Sequence, residues 1–261
     1  MRIWVYTIAY NEAPFVKNFL RAYKDAEKII VYDNFSTDNT VQLLKKNKRV
    51  EIRPHDSGNE IRDDMYLDIK NNCWKEARGK ADWVIIVDFD EIFTRAVNTG
   101  TGKLKFDLDL SDAYDFRFHL IQPCGYNIFL EAMPLYENIN PLSYNLKGCY
   151  DTYSEKPCCF RPDKIREINF FPGCHEAKPE AFRGHVHILR VPQYKLLHFR
   201  YCNLELYFRK LNQYRRRMSD YNLISGLGGH YMWPDEKHNE IYFRGLIESK
   251  PLMDIEIPQK S

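Results

Sequence analysis

The run Asp82-Trp83-Val84-Ile85-Ile86-Val87 stops at Asp88-Phe89-Asp90-Glu91. A continuous apolar run of this length reads as a parallel strand covered on both faces. Acids at its end stand at the carboxyl edge of a sheet, where ligands of open α/β sheets bind. Extended backbone puts Asp88 and Asp90 on one side and Phe89 on the other. Two carboxylates on one side repel each other unless a cation lies between them. Mg²⁺ or Mn²⁺, which take oxygen ligands and phosphate, suit that gap. A bare D-x-D is more often a solvated acidic loop, so the weight of the motif comes from the strand before it.

The elements that must position these acids alternate. Residues 2–9 (RIWVYTIA) are β-prone. From Glu12 to Tyr23, the residues Phe15, Val16, Phe19, Leu20 and Tyr23 share one helical face, and Pro14 sits in the first turn, where it is tolerated. Residues 28–32 predict a second strand, followed by a polar turn from Asp33 to Asp38. Thr37 or Asp38 then caps a helix carrying Val41, Leu43 and Leu44. Residues 49–53 predict a third strand, and Ile61, Met65, Ile69, Cys73 and Ala77 a longer helix. This β-α-β-α-β-α-β order predicts a parallel sheet in three layers with right-handed crossovers. The second half is less regular. Residues 114–121 alternate like an edge or antiparallel strand, 122–193 read as loops and short strands around a site, and 194–199 as a strand. A helix follows from Asn203 to Asp220, with Leu204, Tyr207, Phe208, Leu211 and Met218 inward. Its bases Arg209, Lys210, Arg215, Arg216 and Arg217 are expected largely outward.

Length and composition narrow the class. The 261 residues, 44% apolar, suit one α/β domain with a sizeable core. A net charge of +2 gives no general footprint for nucleic acid. Charge is unevenly placed, with four acids and no base from Asp82 to Glu91, and seven bases to one acid from Lys195 to Arg217. The first could hold a cation, the second could meet phosphate or an anionic membrane surface. Seven cysteines, an odd number, and the absence of a signal-like or membrane-length run lead to an expectation of free thiols in the cytoplasm.

Three segments together resemble the GT-A glycosyltransferases of the family-2-like group. They are Thr7-Ile8-Ala9-Tyr10-Asn11-Glu12, the turn Asp33-Asn34-Phe35-Ser36-Thr37-Asp38-Asn39-Thr40, and Trp83 through Glu91. They fall in the group's order and cover about the first 95 residues. The later half is similar only loosely, through Lys156-Pro157, Arg161-Pro162, His175 and Leu197-His198-Phe199. The resemblance implies one compact GT-A domain with a mostly parallel central sheet. Residues 1–95 would be its nucleotide-sugar half and 96–261 its irregular acceptor half. It implies that the backbone of Thr7 to Ala9, with Asn11 and Glu12, borders the nucleoside, that Asp33 meets base or ribose, and that Arg62 reaches the phosphates. Asp88 would bind ribose or the metal shell, Asp90 would ligate Mn²⁺ or Mg²⁺ directly, and His198 would complete the coordination. The bland alternatives are helix or turn caps for Asn11 and Asp33, an ion pair with Asp63 or Asp64 for Arg62, and a core position for His198.

The implied activity moves a sugar from a nucleotide-diphosphate sugar to a hydroxyl of a glycan or other acceptor, with inversion. Such a transfer needs a base for the acceptor proton. Glu176 in Gly173-Cys174-His175-Glu176 is the first candidate and Asp151 the second, with His175 binding substrate or orienting the base. The group's usual E-D signature is absent there. Cys158, Cys159, Cys174, His175, His185 and His187 have no zinc-site spacing. The basic stretch 209–217 is most simply a solvated face, with a peripheral membrane contact as the sharper alternative. The rival functions are a nucleotidyltransferase, which would open on a Gly-rich loop that residues 7–14 lack, and an inactive sugar- or nucleotide-binding module.

Overall fold

Strand β1 (Ile3–Ala9) is buried on both faces because it runs through the middle of a sheet, between β2 (Lys28–Asp33) and β4 (Trp83–Ile86). The computed structural model describes residues 1–100, 104–113, 117–130, 146–252 and 254, leaving the side chain of Asp112 aside. β3 (Val50–Pro54) adds to β2, so β4-β1-β2-β3 form the parallel core that the alternating pattern predicts. Between them lie α1 (Ala13–Ala22), α2 (Thr40–Leu44) and α3 (Asp63–Asn72). Phe15, Val16 and Phe19 of α1 are buried against the sheet, as the periodicity required. The cap of α2 differs in detail: Asn39 holds the cap position, while Asp38 accepts the Thr40 backbone N–H at 2.9 Å.

β4 does not continue as a strand into the acids. The chain turns at residues 87–90 and enters β5 (Glu91–Asn98), which belongs to a second sheet. That sheet also takes β6 (Leu104–Asp107), β8 (Cys124–Phe129), β9 (Lys147–Tyr150), β14 (Tyr194–His198) and β15 (Lys250–Pro251), in the order β15-β9-β8-β14-β5-β6. β7 (Leu120–Ile121), β10 (Cys159–Phe160) and β13 (Ile188–Leu189) extend the first sheet beyond β4, and β11 (Ile165–Glu167) pairs with β12 (Glu180–Ala181). The α/β class and mostly parallel first sheet match the GT-A expectation. The second, largely antiparallel sheet was not foreseen, and β5 straddles the division expected at residue 95. Residues 114–116 of the expected strand 114–121, and residues 131–145 of the loop region, lie outside the described residues.

Register in the second sheet brings a distant histidine to the acidic turn. β14 runs antiparallel to β5 with His198 opposite Glu91, and the Phe199 backbone N–H donates to the Asp90 carbonyl at 2.7 Å. The end of β14 is thereby fixed beside the turn that carries Asp88 and Asp90.

α4 (Leu204–Arg217) starts at Asn203, whose side chain accepts the Leu206 N–H at 2.8 Å, and α5 (Asp220–Ile224) starts at Ser219. Ile61 N–H donates to Arg217 O at 2.6 Å, and the Ser219 hydroxyl donates to Ile61 O at 2.6 Å. This clamp ties the end of α4 to the start of α3. α6 (Asp235–Glu248) follows and leads into β15. Among the described residues no helix is long and apolar enough to cross a membrane.

Gly125 of β8 shows how closely the second sheet packs on the 152–154 turn: a Cβ there would stand 2.5 Å from the Asp151 carbonyl oxygen and from the Ser154 carbonyl carbon. Backbone cannot swing aside as a side chain tip can. Gly125→Ala should therefore lower stability by about 1–3 kcal/mol, read as the urea midpoint at unchanged m-value. An unaltered midpoint would contradict this packing.

Candidate active site

A cavity of about 330 Å³ opens where the carboxyl end of β1, the 87–90 turn, β14, α3 and α4 meet. α3 presents Asp63, Tyr66 and Lys70 to it, and α4 presents Lys210, Gln213, Tyr214 and Arg217. Both sets follow the i, i+3, i+4, i+7 spacing of one helical face, and the clamp between Ile61 and Arg217 aims both faces at one space. The outward placement expected for the bases of α4 is therefore corrected. Lys210 and Arg217 are buried, Arg215 binds Asp235 at 2.6 Å and the Tyr231 carbonyl at 2.8 Å, and Arg209 and Arg216 are exposed.

The acids of the turn are each held by cations. Asp88 takes Lys70 Nζ at 2.7 Å on one oxygen and Lys156 Nζ at 3.0 Å on the other. Lys156 also pairs with Glu91, whose side chain is fully buried and accepts the Asp88 N–H at 3.0 Å. Asp90 takes Lys210 Nζ at 2.8 Å and lies 3.6 Å from His198 Nε2, both through Oδ2. Lys210 in turn stands 3.2 Å from Glu12. Burial would push both aspartates up, but the Lys156 and Lys70 ammoniums hold Asp88, and Lys210 with His198 hold Asp90, well below the usual carboxylate range. Glu12 goes the other way: burial, with Asp90 adding to it, outweighs Lys210 and lifts its carboxyl to about 7. Asp63 is also raised, chiefly by burial. The lining thus sets five lysines and arginines against four acids, and two of those acids have their charge disfavoured. Such a surface suits an anionic ligand.

The expected site residues separate into two groups. Ala9, Glu12, Asp88, Asp90, His175 and His198 line the cavity. Thr7, Asn11, Asp33, Arg62, Asp151 and Glu176 do not. Thr7 is buried within β1. Asn11, at φ 55°, accepts the Thr37 N–H at 2.7 Å, and Asp33 accepts the Ser36 hydroxyl at 2.6 Å, so both tie down the turns beside the cavity. Arg62 pairs with Asp64 at 2.7 Å, the bland alternative. Asp151 accepts from Ser154 Oγ at 2.8 Å and Asn127 Nδ2 at 3.0 Å, and caps the 152–154 turn. Glu176 is exposed, whereas its neighbour His175 faces the cavity. His175 Nδ1 lies 2.8 Å from the Tyr153 carbonyl oxygen. A carbonyl only accepts, so Nδ1 carries the proton and Nε2 keeps its lone pair. Although the ring is open to solvent on one side, desolvation and then Lys156 hold its basicity below that of an ordinary imidazole.

Lys70, Lys156, Lys210 and Arg217 were not named as site residues from the sequence. Arg217 lies flat on the Tyr10 ring, 3.3 Å from its centroid, and donates to the Asn59 carbonyl at 3.0 Å.

For a divalent cation the donor chemistry fits in part. Asp90 is ionised, its Oδ1 accepts no hydrogen bond among the described residues, and an imidazole nitrogen stands beside it. Asp88 offers no oxygen free of a lysine. Among the described residues no three His, Cys, Asp or Glu side chains gather to hold a metal by themselves, so the ligand must complete any shell. The cysteines are all free, and none joins a zinc-like group.

Residues 4–97 match the family model described as Glycosyl transferase family 2. No curated protein matches the chain. Solved structures similar to it include glucosyl-3-phosphoglycerate synthase from Mycobacterium tuberculosis in complex with Mn²⁺, uridine diphosphate and glucosyl-3-phosphoglycerate, at 16% identity and TM-score 0.29 over 48% of this chain and 44% of that one. The same enzyme with Mn²⁺, uridine-diphosphate-glucose and phosphoglyceric acid aligns at 14% identity and TM-score 0.34, over 67% and 62%. A mycobacterial protein aligns at 15% and 0.35, over 76% and 67%. The first of these alignments spans less than half the length of its relative.

The charge cluster generates a stability test. Lys156→Met removes the ammonium that Glu91 pairs with and leaves a buried carboxylate without its cation, which should cost about 3–5 kcal/mol. Adding Glu91→Gln should return much of that loss in chemical denaturation. A single variant as stable as the parent would show that the pair is not buried as described.

Proposed function

From a chain whose residues 4–97 match the model described as Glycosyl transferase family 2, we propose an enzyme that transfers a sugar from a nucleotide-diphosphate sugar to a hydroxyl acceptor, with a divalent cation and with inversion. The observation that carries the reading is Asp90 beside His198, at the meeting of two sheets, inside a cavity whose lining favours anions.

In this reading the nucleoside lies against Ala9, Tyr10 and Tyr66, and the diphosphate meets Lys210 and Arg217. Asp90 and His198 are the protein ligands for Mn²⁺ or Mg²⁺, and a bound cation there would offset the charge of the leaving diphosphate. Asp88 acts through its lysines, fixing Lys70 and Lys156 at the cavity wall. The acceptor oxygen forms its bond to the anomeric carbon as the bond from that carbon to the diphosphate oxygen breaks. The acceptor proton passes to His175 Nε2. The depressed basicity of His175 keeps the imidazole neutral at pH 7, as a base must be. Glu176, the base expected from the sequence, does not reach the cavity, and His175 takes its place in the proposal. The acceptor is a hydroxyl compound, and the exposed pair Arg209 and Arg216 offers less for a membrane surface than the whole basic stretch suggested.

Three measurements test this. Asp90→Ala should abolish the Mn²⁺-dependent gain in UDP or GDP affinity, a change of about tenfold or more, by calorimetry. Equal metal dependence would remove Asp90 from the site. His175→Ala should leave nucleotide affinity intact and cut kcat by about 10²-fold or more. In the parent, kcat/KM should fall on acidification only below the ordinary imidazole value of about 6.5, because the folded pKa is lowered. A near-normal rate in the variant, or an acid limb above that value, would place the base elsewhere.

A further inference from the structure

Arg200 follows His198 by two residues, on the turn after β14, and its guanidinium lines the cavity. Three rings surround it: Tyr231 at 5.0 Å, Tyr207 at 5.6 Å and Tyr201 at 5.7 Å from their centroids. The Tyr207 hydroxyl is tied to His238 Nδ1 at 2.6 Å, which fixes one wall of this aromatic box. Among the described residues no carboxylate pairs with Arg200 and no group accepts a hydrogen bond from it, although a guanidinium offers five N–H donors in a planar fork. Every other cation discussed at the cavity is spoken for: Lys70 and Lys156 by Asp88, Lys210 by Asp90 and Glu12, Arg217 by backbone carbonyls. The π faces position the guanidinium and offset part of its desolvation, but they leave the fork open.

Resting on the transfer reading above, we propose that Arg200 is the docking point for an oxyanion, a phosphate or a carboxylate, carried by the acceptor. Three observations favour the acceptor over the donor's diphosphate. Lys210 and Arg217 already line the wall of α4 near Tyr10 and Asp90, where the donor is placed. Arg200 stands on a different element, in a box built from the turn after β14, α4 and the 229–232 turn. Arg200, His230 and His175 all line the same cavity, so the guanidinium and the proposed base face one space. A bidentate guanidinium–oxyanion pair would hold the acceptor at a fixed angle, which brings its hydroxyl to the base rather than merely near it. An acceptor lacking the anion would leave the fork unpaired and be selected against.

Inorganic phosphate is the probe, titrated by calorimetry into the full chain with and without saturating Mn²⁺ and whichever of UDP or GDP binds more tightly. Phosphate should bind saturably to the nucleotide-loaded protein. Arg200→Gln should weaken that binding by about tenfold or more while nucleotide affinity stays within about twofold. Arg200→Lys, which keeps the charge but loses the fork, should fall between the two, and unchanged thermal melting will certify both variants as folded. Phosphate that competes directly with the nucleotide, that fails to bind, or that binds equally with Gln at position 200 overturns the assignment while leaving the transfer reading in place. A parent protein that binds neither nucleotide overturns both.

Discussion

Three lysine ammoniums hold four carboxylates where β4 hands the chain over to β5. Lys70 and Lys156 grip Asp88, Lys156 also grips Glu91, and Lys210 lies between Asp90 and Glu12. Four negative groups in so small and largely buried a volume would not stay ionised without compensation. The lysines come from three separate places: α3, the segment before β10, and α4. Each must be delivered by its own element, so the charge balance ties both sheets and two helices to one arrangement. The pairing of β14 with β5 adds His198 to it through the register alone.

The same arrangement shapes the chemistry. In the proposed reading, an anionic ligand entering the cavity would offer the lysines new partners, and a divalent cation would meet Asp90 through Oδ1, the oxygen that Lys210 does not hold. Donor diphosphate and cation are thereby expected to bind together rather than separately. Glu12, with its carboxyl raised to about 7, is the group in the cluster whose charge is most open to change when that exchange occurs.

Much of the first sheet was legible in the sequence because each of its elements is local and strongly patterned. β1, β2, β3, β4 and the face of α1 follow from apolar runs and periodicity. The second sheet was not, since strands as short as β9 or β15 are set by distant partners rather than by their own residues. Asp90 and His198, which line the cavity, were singled out from the sequence by strand context and resemblance. Lys70, Lys210 and Arg217 were hidden by the habit of reading charges on helices as solvated. The signal existed: Asp63, Tyr66 and Lys70, and likewise Lys210, Gln213, Tyr214 and Arg217, repeat at helical spacing along a face beside the apolar stripe. The expected apolar face of α3 proves only half-buried at Met65 and Ile69, while Lys70 is the buried residue. Glu176 and His175 show the limit of motif reading, because adjacent residues in a turn face different ways and only coordinates tell which one enters the cavity.

In the proposed reading, Asp90 and His198 together receive a divalent cation once a nucleoside diphosphate is bound. Electron paramagnetic resonance of Mn²⁺ in the presence of UDP or GDP tests it most directly, through the modulation that a coordinated imidazole nitrogen imposes. Bound Mn²⁺ should show one such nitrogen, and His198→Ala should abolish that signal. Mn²⁺ that stays free beside the nucleotide-loaded protein, or binds with no nitrogen signal, would contradict the claim.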